Sequence, residues 1–195
     1  MRDIAIFVED TAHEQFLSAL IPRLAAEHGI EVHLLWRNTR RGHGAVVREL
    51  RQYLRDLELG RDRRPDLVVV ATDANCKGYT ERRNEVTGLT GKAPIRTICA
   101  IPDPHIERWL LVDSSAFKQV FGQGCDAPDR KCERARYKRL LGDAIRKTGI
   151  NPSFGGIEFA REIVEAMDLA RAGGADDSLA RLVDDLRAAF REWAI

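Results

Sequence analysis

The chain has little cysteine, almost no net charge and no long apolar run. No stretch of its 195 residues approaches the ~18 apolar residues of a membrane-spanning helix, so no membrane segment is expected. Its start, Met1-Arg2-Asp3-Ile4-Ala5-Ile6-Phe7-Val8, runs straight into an apolar strand. It has no secretory layout of basic, apolar and small-residue regions, which predicts a cytoplasmic protein. Four cysteines, Cys76, Cys99, Cys125 and Cys132, are too few at this length for a disulfide framework, and reduced thiols are expected. Cys125 and Cys132 are seven positions apart with no histidine following at finger spacing, so a zinc site is not expected. A net charge of +1, from 31 basic and 30 acidic residues, excludes both a uniformly basic nucleic-acid coat and a polyacidic chain.

What is present is a globular composition, 44% hydrophobic and 31% charged. The length fits one domain with an extension, burying roughly 70% of its unfolded surface. The charge is uneven. Residues 1–36 and 149–195 each carry a net −4, residues 37–64 and 114–148 each a net +5, and residues 65–113 a net −1.

Apolar runs at 4–8, 31–36, 67–71 and 95–101 read as strands. Helical periodicity fills 11–28, 45–59 and 79–91 between them, with Thr11 and Glu14 spaced as a capping box. Alternating strands and helices predict a four-stranded, mostly parallel sheet with right-handed crossovers. From His105 onward only helices are expected, over 106–121, 132–148, 156–172 and 178–193. The fold class is α/β, with a core over 1–113 and a helical extension over 114–195.

Ligands of open parallel sheets bind beyond the carboxyl ends of the strands. There stand Glu9-Asp10 after the first strand, Arg37, Arg40 and Arg41 after the second, and Asp73-Ala74-Asn75 after the third. Asp103, His105 and Glu107 follow the fourth, with Asp113 beyond. Converging carboxylates repel unless a cation screens them, and oxygen donors suit Mg²⁺ or Mn²⁺. Neighbouring arginines suit a phosphate substrate, which together points to phosphodiester chemistry. The stretch 130–139, with Arg134 and Lys138 one helical turn apart and Tyr137 as a stacking surface, suits an anionic partner.

These residues resemble the Toprim domain of topoisomerases, bacterial primases and overcoming-lysogenization-defect nucleases. The resemblance rests on a strand ending in Glu9, a later strand followed by Asp73-Ala74-Asn75, and Ile106-Glu107-Arg108-Trp109-Leu110-Leu111-Val112-Asp113. The segment Phe154-Gly155-Gly156-Ile157-Glu158-Phe159-Ala160 adds to it. Small stand-alone bacterial proteins of this kind are the nearest in pattern. The resemblance implies a Toprim-like sheet and a Mg²⁺- or Mn²⁺-dependent nuclease, acting in anti-phage defence beside an ATPase partner. It implies Glu9 and Asp73 as catalytic residues, and Glu9, Asp73, Asn75, Glu107 and Asp113 as metal ligands. Arg37, Arg40, Arg41, Lys77, Arg134 and Lys138 would bind DNA or RNA. Two departures stand out: Asn75 where the family has a second Asp, and Asp10 where it has Gly. Asn75 supplies a carbonyl oxygen without charge, which keeps open a non-catalytic nucleic-acid-binding or regulatory subunit of an ATPase complex. Small-nucleotide chemistry is disfavoured by the lack of a Gly-x-x-x-x-Gly-Lys loop. The residues leave oligomeric state open.

Overall fold

A computed structural model of the chain describes residues 1–38, 42–91, 93, 95–133 and 135–194. Among them, strands β1 (Arg2–Val8), β2 (Val32–Asn38), β3 (Leu67–Ala71) and β4 (Thr97–Ala100) form one sheet in the order β2-β1-β3-β4. All three pairings are parallel, in register from Ile4 opposite Leu67 to Val8 opposite Ala71, and Val70 opposite Cys99. The predicted α/β class and sheet are therefore observed.

The sheet is covered on both faces, which is why β1 and β3 read as unbroken apolar runs rather than alternating ones. Ile4, Ile6, Val8, Val69 and Ala71 point to one face, Ala5, Phe7, Val68 and Val70 to the other. Helices α2 (His43–Glu58) and α3 (Tyr79–Thr90) cover the second face through Val46, Leu50, Tyr53 and Val86. The first face packs against α1 (Thr11–Ala26) through Phe16, Leu17 and Leu20. The C-terminal helices α5 (Ser114–Phe121), α7 (Ala160–Ala166), α8 (Leu169–Ala175) and α9 (Asp177–Trp193) join that same core. Leu141, Ile163, Leu182 and Leu186 of the C-terminal helices share a core with Ile6 and Val69 of the sheet.

Several helix boundaries differ from expectation, each for a local reason. Asp10, not Thr11, caps α1, accepting the backbone N–H groups of Ala12 and His13. The helix predicted over 106–121 is two, α4 (Ile106–Trp109) and α5, because Asp113 caps the second by accepting from Ser115 and Ala116. The helix predicted over 156–172 likewise splits at Asp168, which caps α8. The basic segment is helical only from α6 (Arg136–Arg146). The expectation of four reduced cysteines is corrected: Cys76 and Cys132 are joined as a disulfide, Cα to Cα 5.3 Å. Cys99 and Cys125 are free. The disulfide ties the loop after β3 to the segment ahead of α6.

Candidate functional site

The register of the sheet sets the site. With Val8 opposite Ala71, the residues just beyond each strand meet at one edge. Glu9 donates its backbone N–H to the Ala71 carbonyl, while its Oε2 accepts from the Thr72 hydroxyl at 2.5 Å and the Asp73 N–H at 3.1 Å. Its other oxygen, Oε1, has no hydrogen-bond partner among the described residues. It faces Gly42, where a Cβ would stand 3.9 Å away. Gly42 itself has φ +75, a conformation open to glycine.

Asp73 is enclosed from three sides. Its Oδ2 accepts from His105 Nδ1 at 2.8 Å and its Oδ1 from the Ile106 N–H at 2.9 Å. His13 Nε2 stands 3.3 Å from the same Oδ1. The other side of the His13 ring meets Asp10 at 2.8 Å. Burial opposes charge on His13, but the flanking carboxylates outweigh it and raise the ring to about 10. Burial also acts against the Asp10 carboxylate, yet His13 and two backbone N–H groups hold it down to about 2. Asp73 is likewise lowered: burial opposes ionisation, and the His105 and His13 hydrogen bonds prevail. His105 is raised, chiefly by Asp73.

A second chain of contacts leads away from Glu9. Thr72 lies 3.0 Å from His43 Nδ1, and His43 Nε2 lies 2.9 Å from Glu85. Glu85 is held to about 2 by Lys77 first, against burial, with Arg82 adding to it. Glu107 stands on the opposite side, its carboxyl met by its own backbone N–H and by no other donor among the described residues. Burial and then the charge of Asp73 raise that carboxyl.

Glu9, Asp73 and Glu107 are thus brought together, but the donor set as arranged does not fit a magnesium ion. Both Asp73 oxygens are taken by protein donors, Oδ2 by His105 Nδ1 and Oδ1 by the Ile106 N–H. The Asn75 amide donates to the Asp73 carbonyl at 3.3 Å from a left-handed backbone, φ +51. Among the described residues no group of three histidines, cysteines, aspartates or glutamates is arranged to hold a metal ion.

Asp113 does not belong to this cluster. It is fully buried, and its oxygens accept from Arg171 Nε and Nη2 at 2.9 and 2.8 Å and from three backbone N–H groups. The expectation that it serves a metal is corrected, because no lone pair is left for one. Asp103 turns the other way, toward Arg130 at 3.8 Å.

The basic residues divide similarly. Arg37 pairs with Asp62 at 2.6 Å and lies over the Tyr53 ring at 4.4 Å. Lys77 is held by Glu81 and Glu85 at 3.0 and 2.6 Å. Lys138, on α6, has no carboxylate partner among the described residues and lines a groove that opens over Asp10 and Glu107. Arg40, Arg41 and Arg134 lie outside the described residues. Tyr137 is no stacking surface: it is buried, its hydroxyl fixed among Asp129, Lys131 and their backbone.

Sequence reasoning missed His13 as a member of the site and gave His105 no role. The signal for His13 is its position in the first turn of α1, directly after the strand-end acids. The chain matches the model of a domain of unknown function, DUF4276, over residues 8–187, and belongs to that family. No curated protein and no solved structure matches it.

Proposed function

We propose that this member of the DUF4276 family cleaves nucleic-acid phosphodiester bonds at the cluster of Glu9, Asp73 and His105. One observation carries the reading. Three separate strand ends deliver these groups to one edge of the sheet, where direct hydrogen bonds join them. The edge is where parallel sheets hold their ligands.

In this reading Glu9 is anchored by Thr72 and the Asp73 N–H and takes a proton from the attacking water at Oε1, which has no partner among the described residues. The water oxygen bonds to phosphorus as the bond to the leaving oxygen breaks. His105, whose pKa is raised chiefly by its hydrogen bond to Asp73, gives the Nε2 proton to that oxygen. Nε2 is buried and has no hydrogen-bond partner among the described residues, so the substrate would have to reach it from the cluster side. Asp73 is a positioning residue, fixing the ring as a carboxylate does behind many acid–base histidines. Lys138 offsets phosphate charge from the groove. No step is routed through a metal, because the donors present do not fit one.

The test is cleavage of labelled DNA and RNA by purified protein, with and without Mg²⁺ or Mn²⁺, against Glu9→Gln and His105→Gln. The expected result is loss of about 100-fold or more in rate for each variant. Cleavage by both variants at the wild-type rate overturns the assignment. The engagement of both Asp73 oxygens favours a second reading, a nucleic-acid-binding subunit without catalysis. Saturable binding with no cleavage under any ion selects it.

A further inference from the structure

The groove beside the cluster carries a feature the reaction does not use. Its volume is about 770 Å³, and its walls include Asp10, Gln15, Glu107, Lys138, Phe154 and Glu158. Phe154 is 71% exposed, more than any other aromatic side chain among the described residues. An exposed ring is costly to keep in water, and this one is held in place rather than left loose. Glu158 accepts the backbone N–H groups of Ser153, Phe154 and Gly156, closing the loop on itself. Gly156, at φ +98, seats that loop on α6 so closely that a Cβ would stand 2.4 Å from Ile145. At Gly155 the absent side chain leaves room for the Lys138 stem, 3.0 Å from where a Cβ would be. A flat apolar ring and an ammonium without a carboxylate partner among the described residues are therefore displayed together, over a groove that leads to Asp10 and Glu107.

We propose that this groove takes one unpaired nucleotide of a single-stranded nucleic acid, its base stacked on Phe154 and its phosphate at Lys138. The inference rests on the phosphodiester reading above and names the substrate class for that site. A duplex keeps its base faces stacked on one another, so only a single strand offers one to a protein ring. A free mononucleotide is the poorer occupant, since one lysine without a glycine-rich phosphate loop gives its phosphates a single cation. The groove volume is within the range of sites that enclose a ligand of nucleotide size. Of the groove carboxylates, Glu158 is bound by the Phe154 loop and Asp10 by His13 and the start of α1, which leaves Glu107 as the one facing the groove without other donors among the described residues.

The test is fluorescence anisotropy with a labelled single-stranded oligonucleotide, in DNA and RNA form, with a duplex of the same sequence and a mononucleotide as competitors. Wild type is expected to prefer the single strand to both. Phe154→Ala is expected to weaken that binding by about tenfold or more, while Phe154→Trp retains it. Lys138→Gln lowers the dependence of affinity on salt by about one phosphate contact. Melting is expected to be unchanged in all three, because both side chains are at the surface. Wild-type affinity in Phe154→Ala overturns the stacking proposal alone. Preference for the mononucleotide, or equal competition by duplex, also overturns it. If wild type binds no nucleic acid of any form, the phosphodiester reading falls and takes this inference with it.

Discussion

Two regions of the molecule bury carboxylates, and they treat them in opposite ways. In the C-terminal helices Asp113 is saturated, and Asp176 is saturated at Oδ1 while its Oδ2 meets only the charge of Arg108. Asp176 accepts from Trp109 Nε1, the Ser178 hydroxyl and two backbone N–H groups, and pairs with Arg108. Asp113 takes five donors, two of them from Arg171. At the sheet edge, among the described residues, Glu9 keeps one oxygen free and Glu107 meets only its own backbone N–H, although burial and Asp73 raise it. A carboxylate that closes two helices together needs every donor it can find. One that is left short of donors is tolerated at a cost to stability, and such groups cluster where a protein works. The first region is held by its acids; the second holds them ready.

The comparison breaks most readily at Asp176. Asp176→Asn leaves Arg108, 7% exposed, without its counter-charge, and is expected to cost about 3–5 kcal/mol in urea denaturation. A cost under about 1 kcal/mol would place Asp176 with the expendable acids. Next is His13, a cation buried at the edge. Its folded value of about 10 lies above its ordinary 6.5. The stability it contributes is complete below pH 6.5 and is lost as pH climbs toward 10, on the order of a few kcal/mol. Thermal melting should therefore fall across that window, and His13→Gln should flatten the fall; coincident slopes for the two proteins contradict the assignment. The smallest effect has the opposite sign. Glu107→Gln removes a charge that is raised by burial and by a neighbouring carboxylate, and should stabilise by up to about 1 kcal/mol at pH 8. A loss of stability would show that Glu107 is held as firmly as Asp113.

Much of the edge was legible in the chain. Strands 4–8 and 67–71 announced themselves as apolar runs, and a parallel sheet puts the residues after such runs on one side. Glu9 and Asp73 were placed together on that ground. Glu107 could not be separated from Asp113, both acids downstream of β4, because the difference lies in Arg171, 58 positions further along the chain. Likewise nothing local tells a reader that Cys76 meets Cys132 across 56 residues, or that Tyr137 faces inward while Phe154 faces out. The basic stretch at 130–139 suggested a grip on an anion, yet Arg136 and Arg139 are paired with Asp129 and Glu133. Lys138 is a described member without such a partner.

By itself the sequence determined the class of fold, the covering of both faces of the sheet and the edge at which chemistry would gather. Those come from apolar period and strand order, which are properties of neighbouring residues. Only the tertiary structure decided which acids are saturated, which histidines stand between them, and which aromatic ring meets solvent. Each of those depends on a donor or a packing surface brought in from a distant part of the chain, and a run of adjacent residues holds no record of it.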